Sequence, residues 1–296
     1  MEYISVKQFA EKFNVSERTA RNYCASGKID GAYLVGKSWN IPADAVLPSR
    51  IKTSKTSPLL AALQEQKDSK IKGSIYHRVQ IDFTYNSNHI EGSRLTHDQS
   101  RYIFETNTIG ITDEAVNVDD IIETANHFRC IDLFIELTGA MLTESFIKQL
   151  HLMLKSGTSD SRKAWFAVGD YKRLPNEVGG VETAAPSDVH RQVRDLLREY
   201  NSIKKYSLDD IIDFHQRFEA IHPFQDGNGR VGRLIMFKEC LSAGIVPFII
   251  TDDLKMLYYR GLREWPRVQG FLLDTCLTAQ DHFKALLDYF QIKYRG

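Results

Sequence analysis

The sequence predicts a mainly α-helical protein, with one large helical unit preceded by a smaller unit of helices and a hairpin. Three observations carry this. From residue 59 to residue 292, apolar residues recur at the three-to-four spacing of amphipathic helices, over ten successive candidate segments. A Gly/Pro-containing stretch at 169–186 breaks that run and reads as an extended hairpin. The first 48 residues have a different rhythm, two short helical patterns and then alternation around Gly36-Lys37. A chain of 296 residues suits two domains.

The leading elements follow from their caps and stops. Ser5 caps a helix through Phe13, with Val6, Phe9, Ala10 and Phe13 on one face. Asn14-Val15 turns the chain. Ser16 caps a second helix through Ala25, which Ser26-Gly27 stops. Residues 32–35 and 38–42 then form a hairpin around Gly36-Lys37.

This order resembles a small winged helix-turn-helix domain of the excisionase and MerR-like kind over residues 1–48. The resemblance implies a DNA reader. Arg18, Thr19, Arg21 and Asn22 would enter the major groove and Lys37, in the wing, would approach phosphate. Residues 1–56 hold nine Lys/Arg against five Asp/Glu in a chain of zero net charge, a modest electrostatic footprint for nucleic acid. A single module makes few phosphate contacts, so a homodimer engaging two half-sites would help. A module kept for protein contacts is the alternative.

Residues 49–58 are polar and basic with little to bury, and we assign 49–72 to a linker even though 59–69 reads as a helix. The large domain is 73–296. Its candidate helices are 73–86, 97–104, 117–138, 143–155, 186–204, 208–221, 229–242, 252–264 and 268–292. The longest apolar run near the C-terminus, 244–250, is far short of the ~20 residues of a membrane span, so no membrane partner is expected. Cys24, Cys130, Cys240 and Cys276 lie far apart and suggest reduced thiols in the cytoplasm. The opening residues lead us to expect no signal peptide, and no His/Cys spacing suits a metal centre.

Chemistry concentrates in His222-Pro-Phe-Gln-Asp-Gly-Asn-Gly-Arg-Val-Gly-Arg233. Ser207 caps the helix that delivers His222 onto a loop. A glycine-rich turn at a helix start exposes orphan N–H groups and the positive end of the dipole, which suits phosphate. Arg230 and Arg233 are one helical turn apart, so both can face one anion. Asp226 is a hard oxygen ligand for Mg²⁺. His222 can take a proton from an attacking hydroxyl near neutral pH. A plain helix-loop-helix corner would use the glycines but explains neither the histidine nor both arginines.

Eight positions of this run match the signature His-x-Phe-x-(Asp/Glu)-Gly-Asn-Gly-Arg-x-x-Arg, and the chain resembles the Fic family. The resemblance implies a helical-bundle core with a β-hairpin flap. It implies an enzyme that binds ATP with Mg²⁺ and moves AMP to a Ser, Thr or Tyr hydroxyl of a protein. It makes His222 the general base and Asp226 the metal residue. Gly227, Asn228 and Gly229 cradle the α-phosphate, and Arg230 and Arg233 take the β- and γ-phosphates. The related Doc kinases and the phosphocholine-transferring relatives alter this run, so nucleotidyl transfer is favoured.

Three supporting elements carry the same resemblance. Val178, Gly179, Gly180 and Val181 fit the flap that holds the target segment by strand pairing; an ordinary surface hairpin is the alternative. Tyr258 and Tyr259 match a pair that lines the adenine pocket in relatives, but Pro266 stands where some relatives carry an asparagine; buried core tyrosines are the other reading. Ser87, Glu91 and Gly92 fit the family's inhibitory pattern on a helix near 80–92, in which the glutamate pairs with the motif's last arginine, here Arg233. Two further readings stay open: a hydrolase that removes AMP through the same site, and a transcription regulator whose large domain senses a nucleotide.

Overall fold

In the large unit, side-chain oxygens decide where most helices begin. Ser57, Ser74, Thr96, Asn117, Thr143 and Ser207 each accept a backbone N–H two or three residues on, and a helix follows each one. The computed structural model describes residues 3–13, 15–25, 29, 31–36, 38–45, 57–110 and 115–294. The chain divides into two compact units, Met1–Lys52 and Thr53–Gly296.

The smaller unit runs β1 (Tyr3–Ser5), α1 (Val6–Phe13), α2 (Glu17–Ala25), β2 (Tyr33–Val35) and β3 (Ser38–Pro42). Ser5 ends β1 and caps α1 through a reciprocal pair with Gln8. The expected hairpin is present, with Leu34 opposite Trp39. Strand β1 was not anticipated. It pairs antiparallel with β3, Ile4 opposite Ile41, and makes a sheet of order β1-β3-β2. Three residues are too few to show a period of two. Phe9, Ala20 and Ile41 are fully buried at the centre of this unit.

The larger unit is helical: α3 (Pro58–Ser69), α4 (Ile75–Ile90), α5 (His97–Thr106), α6 (Val118–Glu136), α7 (Glu144–Lys155), then the hairpin β4 (Glu177–Val178) and β5 (Val181–Glu182), then α8 (Pro186–Asn201), α9 (Leu208–Ile221), α10 (Asn228–Ala243), α11 (Lys255–Glu264) and α12 (Gly270–Tyr289). Helix α3 lies within the span assigned to a linker. It sends Leu59 and Leu63 into the core that holds Val79 and Phe83 of α4, so Pro58–Ser69 is part of the helical unit.

Helix α10 is the axis of the unit. Every residue from Asn228 to Leu241 is buried, against α9, α6, α7 and α4. A helix buried on all sides must pair its charges internally. Lys238 reaches Glu239 at 2.7 Å, and Tyr200 donates to Glu239 at 2.9 Å. The two arginines near its start are paired at the site below. Among the described residues no helix is long and apolar enough to cross a membrane. All four cysteines are free and buried.

Candidate active site

The loop between α9 and α10 is built to hold one histidine off the helix axis. His222 closes α9 with its N–H on the Phe218 carbonyl and takes a left-handed conformation, φ 51° and ψ 62°. A non-glycine residue adopts this at a cost, which the surroundings must offset. They do so closely. The Pro223 carbonyl accepts from Lys172 N–H at 2.9 Å. Phe224 is buried and stacks on His151, rings 3.9 Å apart and 6° from parallel. Asn228 accepts from Phe224 N–H and donates to the Phe224 carbonyl.

That last pair corrects one expectation. The Asn228 amide does not face a phosphate; both its ends are spent on the loop's own backbone. The start of α10, where Gly227 (φ 82°) leaves the first N–H groups without a side-chain cap, has the chemistry to receive an anion.

The two arginines diverge rather than share one anion. Arg230 turns toward α6 and the loop, pairing with Glu123 and, at 3.1 Å, with Asp226. Arg233 turns toward α4. Its Nε donates to Ser87 Oγ at 3.1 Å, and its Nη2 donates to the Ser87 carbonyl at 2.8 Å and Glu91 Oε1 at 2.7 Å. The partners of the two guanidinium groups lie apart, Glu123 on α6 and Glu91 at the end of α4. Glu91 sits at the C-cap of α4, and Gly92 follows at φ 99°. A Cβ on Gly229 would stand 2.2 Å from Glu91 Oε1, so the glycine makes room for that carboxylate over the start of α10.

Asp226 accepts from Lys155 Nζ at 2.7 Å as well as from Arg230, both on Oδ2. Burial alone would raise its pKa; Arg230 and Lys155 outweigh burial and hold the carboxyl well below its ordinary range. Its side chain stays 48% exposed, so it is within reach of a ligand. Among the described residues no three His, Cys, Asp or Glu cluster to cage a metal. One open carboxylate suits Mg²⁺ held largely by a substrate's phosphates. The space on this side measures about 300 Å³ and is bounded by Glu91, Glu123, Lys155, Asp226 and Arg230 among others.

The hairpin expected in the 169–186 stretch is present as β4–β5. Glu177 pairs with Glu182 and Val178 with Val181. Gly179 and Gly180 both carry positive φ, 58° and 78°, as a two-residue turn of this hand requires. Val178 and Val181 are exposed. Its base is tied to the loop between α9 and α10, since Lys172 Nζ donates to Asn176 and Thr183 while Asn176 Nδ2 donates to the Phe224 carbonyl.

The tyrosine pair splits. Tyr258 is fully buried, hydrogen-bonded to His215 Nε2 at 2.7 Å, with Arg233 over its ring, so here it is a core residue. Tyr259 is partly exposed and donates to the Ile90 carbonyl at the end of α4.

In the small unit, Arg18, Arg21 and Asn22 are exposed on α2. Arg21 pairs with Glu17, and the Thr19 hydroxyl is engaged by Ser16. Lys37 lies outside the described residues.

Sequence reasoning missed Glu123, His151, Lys155 and Lys172. Each reaches the site from another helix or from before the flap. Only the four-residue spacing of His151 and Lys155 hinted that they share a face.

Three histidines here are held neutral. Burial lowers His151 and His215 to about 3; burial, then Lys172, lowers His222 to about 4. His222 is therefore a free base at neutral pH. The unfolded chain binds these protons near 6.5 and the folded chain does not. The stability these rings contribute is complete above about 6.5 and is lost as pH falls toward 3 to 4, by several kcal/mol in all. The thermal midpoint is expected to drop by about 10 °C or more from pH 7.5 to pH 4.5. A constant midpoint across that range would contradict the burial of these rings.

Comparison with known proteins places this geometry. Residues 141–240 match the Fic/DOC family, a segment that runs from the start of α7 through the motif helix. The "Protein adenylyltransferase Fic" of Drosophila grimshawi is 29% identical over 211 residues, covering 69% of this chain. The Drosophila persimilis protein of the same name is also 29% identical over 211 residues. The chain spans about 40% of the length of these curated relatives. Among solved structures, a Fic-domain-containing signalling protein from Bacteroides thetaiotaomicron superposes with a TM-score of 0.63 at 21% identity, over 80% of this chain and 98% of that one. A Fic family protein from Desulfovibrio desulfuricans gives 0.60 at 20% identity, over 78% of this chain and 73% of that one. The helical unit therefore has the Fic fold, mainly α with a small hairpin.

Proposed function

We propose that this protein transfers AMP from ATP to a Ser, Thr or Tyr hydroxyl of a target protein. The observation that carries this is the single loop-and-helix run that presents a neutral histidine, an exposed carboxylate, an uncapped helix start and two arginines. His222 takes the proton as the hydroxyl oxygen attacks the α-phosphorus, and the bond to the β-phosphate oxygen breaks, releasing pyrophosphate. The start of α10 receives the α-phosphate, and Arg230 and Arg233 the outer phosphates. Asp226 would hold Mg²⁺, which neutralises phosphate charge when bound. The exposed edge of β4–β5 holds the target segment by strand addition.

On this reading Glu91 acts as a brake. Glu91 occupies Arg233 and lies over the start of α10, where it competes with the nucleotide's phosphates. The same placement favours a second reading, in which Glu91 positions a water that removes AMP from a modified protein. Incubating the Glu91→Gly variant in lysate with α-labelled ATP, CTP, GTP and UTP separately tests the proposal. Protein labelling by ATP alone supports it; labelling by none defeats it. Loss of AMP from a modified target with wild type but not with Glu91→Gly would favour the hydrolase.

We further assign the small unit to DNA reading as a winged helix-turn-helix, with Arg18, Arg21 and Asn22 toward the major groove. Four free, buried cysteines suit a reducing compartment, and we place the protein in the cytoplasm. Full-length protein is expected to bind some genomic fragment above random DNA at low salt. Arg18→Ala with Arg21→Ala should weaken it about tenfold or more. In a gel shift, equal binding to all fragments would leave the unit as a docking element.

A further inference from the structure

Asp226, the carboxylate proposed to hold Mg²⁺, is gripped from outside its own loop. His151 and Lys155 lie four residues apart on one face of α7. His151 Nε2 meets the Asp226 carbonyl at 3.1 Å, and its Nδ1 meets Gly169 N–H at 2.9 Å. A backbone N–H can only donate, so Nδ1 accepts and Nε2 carries the proton. One tautomer alone satisfies both bonds, and it ties the loop to the segment leading into the flap. The ring also stacks on Phe224 of the same loop.

Lys155 completes the hold. Its Nζ lies 2.7 Å from Asp226 Oδ2, 2.5 Å from Glu123 and 2.9 Å from Asp160, and the residue is only 2% exposed. Glu123 in turn pairs with Arg230, which also meets Asp226 Oδ2. Both cationic contacts fall on the same carboxylate oxygen, Oδ2.

We infer that His151 and Lys155 are positioning residues for Asp226, one fixing its backbone and the other its carboxylate. This rests on the AMP-transfer reading for its purpose, but not for its test. Neither residue belongs to the 222–233 motif. Simple charge compensation by Lys155 makes the opposite forecast, since removing a neighbouring cation should tighten a metal on Asp226. Loss of orientation should loosen it.

The test has two arms on the full-length chain. Imidazole ¹⁵N spectra at pH 7.5, with His151 assigned by its loss in His151→Asn, should show the neutral Nε2–H tautomer. The Nδ1–H tautomer or a charged ring overturns the clamp. Mn²⁺ binding with a non-hydrolysable ATP analogue, read by electron paramagnetic resonance in the Glu91→Gly background, forms the second arm. His151→Ala and Lys155→Met should each weaken Mn²⁺ by about 10- to 100-fold, with recovery in Lys155→Arg. Unchanged or tighter Mn²⁺ in folded Lys155→Met overturns the proposal. If that variant fails to fold, His151→Ala and the tautomer decide it alone. Absence of AMP transfer by the Glu91→Gly chain would defeat the functional reading while leaving both measurements interpretable.

Discussion

Exchange of His222 for alanine is expected to lower AMP transfer by about 10²- to 10⁴-fold, the range contributed by a placed general base. The target hydroxyl is a weak acid, and no other group in the loop can take its proton. Asp226 is held ionised and faces Lys155 and Arg230, and the arginines are always charged. His222 is neutral at working pH because burial and Lys172 oppose its protonation. Its left-handed backbone adds a complication, since alanine tolerates φ 51° poorly. His222→Asn separates the effects, because asparagine accepts that conformation more readily. Both variants should lose label transfer, while His222→Asn keeps the parent thermal midpoint. Undiminished transfer by either would remove His222 from the chemistry.

The second large effect is release of the brake. Glu91→Gly is expected to raise AMP transfer by about 10- to 100-fold, the worth of a charge-assisted contact of roughly 1.5–3 kcal/mol. Glu91 sits at φ −86° and ψ 3° beyond the last turn of α4, so the substitution disturbs little else. Arg233 stays aligned, because Ser87 still accepts from Nε and, through its carbonyl, from Nη2. Ser87→Ala should therefore not mimic Glu91→Gly. Self-modification under saturating Mg²⁺-ATP reports both variants. Equal rates for wild type and Glu91→Gly would show that the ion pair of Arg233 and Glu91 does not restrain catalysis.

Local physics made much of this legible from the sequence. Caps such as Ser207 and the period of apolar residues placed every helix of the larger unit to within a few residues. The spacing 222–233 brought His222, Asp226 and the arginines into one loop and helix, and the resemblance paired Glu91 with Arg233, a contact that Ser87 also makes in the fold. What stayed hidden is non-local. Glu123 meets Arg230 across 107 positions, and Lys155 meets Asp226 across 71. No periodicity encodes such a meeting, because it depends on how α6 and α7 pack on α10. Asn228 was misread for a related reason. The motif marks it as polar and near phosphate, whereas the folded loop spends it on Phe224. Tyr258 shows the reverse, since a residue grouped with the base pocket is fully buried beneath Arg233.

The central claim is that the α-phosphoryl group, with its nucleoside, passes to protein. Paired incubations of Glu91→Gly with ATP labelled at the α- or the γ-phosphate test it directly. Transfer of AMP puts α-label on protein, leaves γ-label in pyrophosphate, and loses the α-signal in His222→Ala. γ-Label retained on protein would mean phosphoryl transfer instead, and no α-label in Glu91→Gly would contradict the account outright.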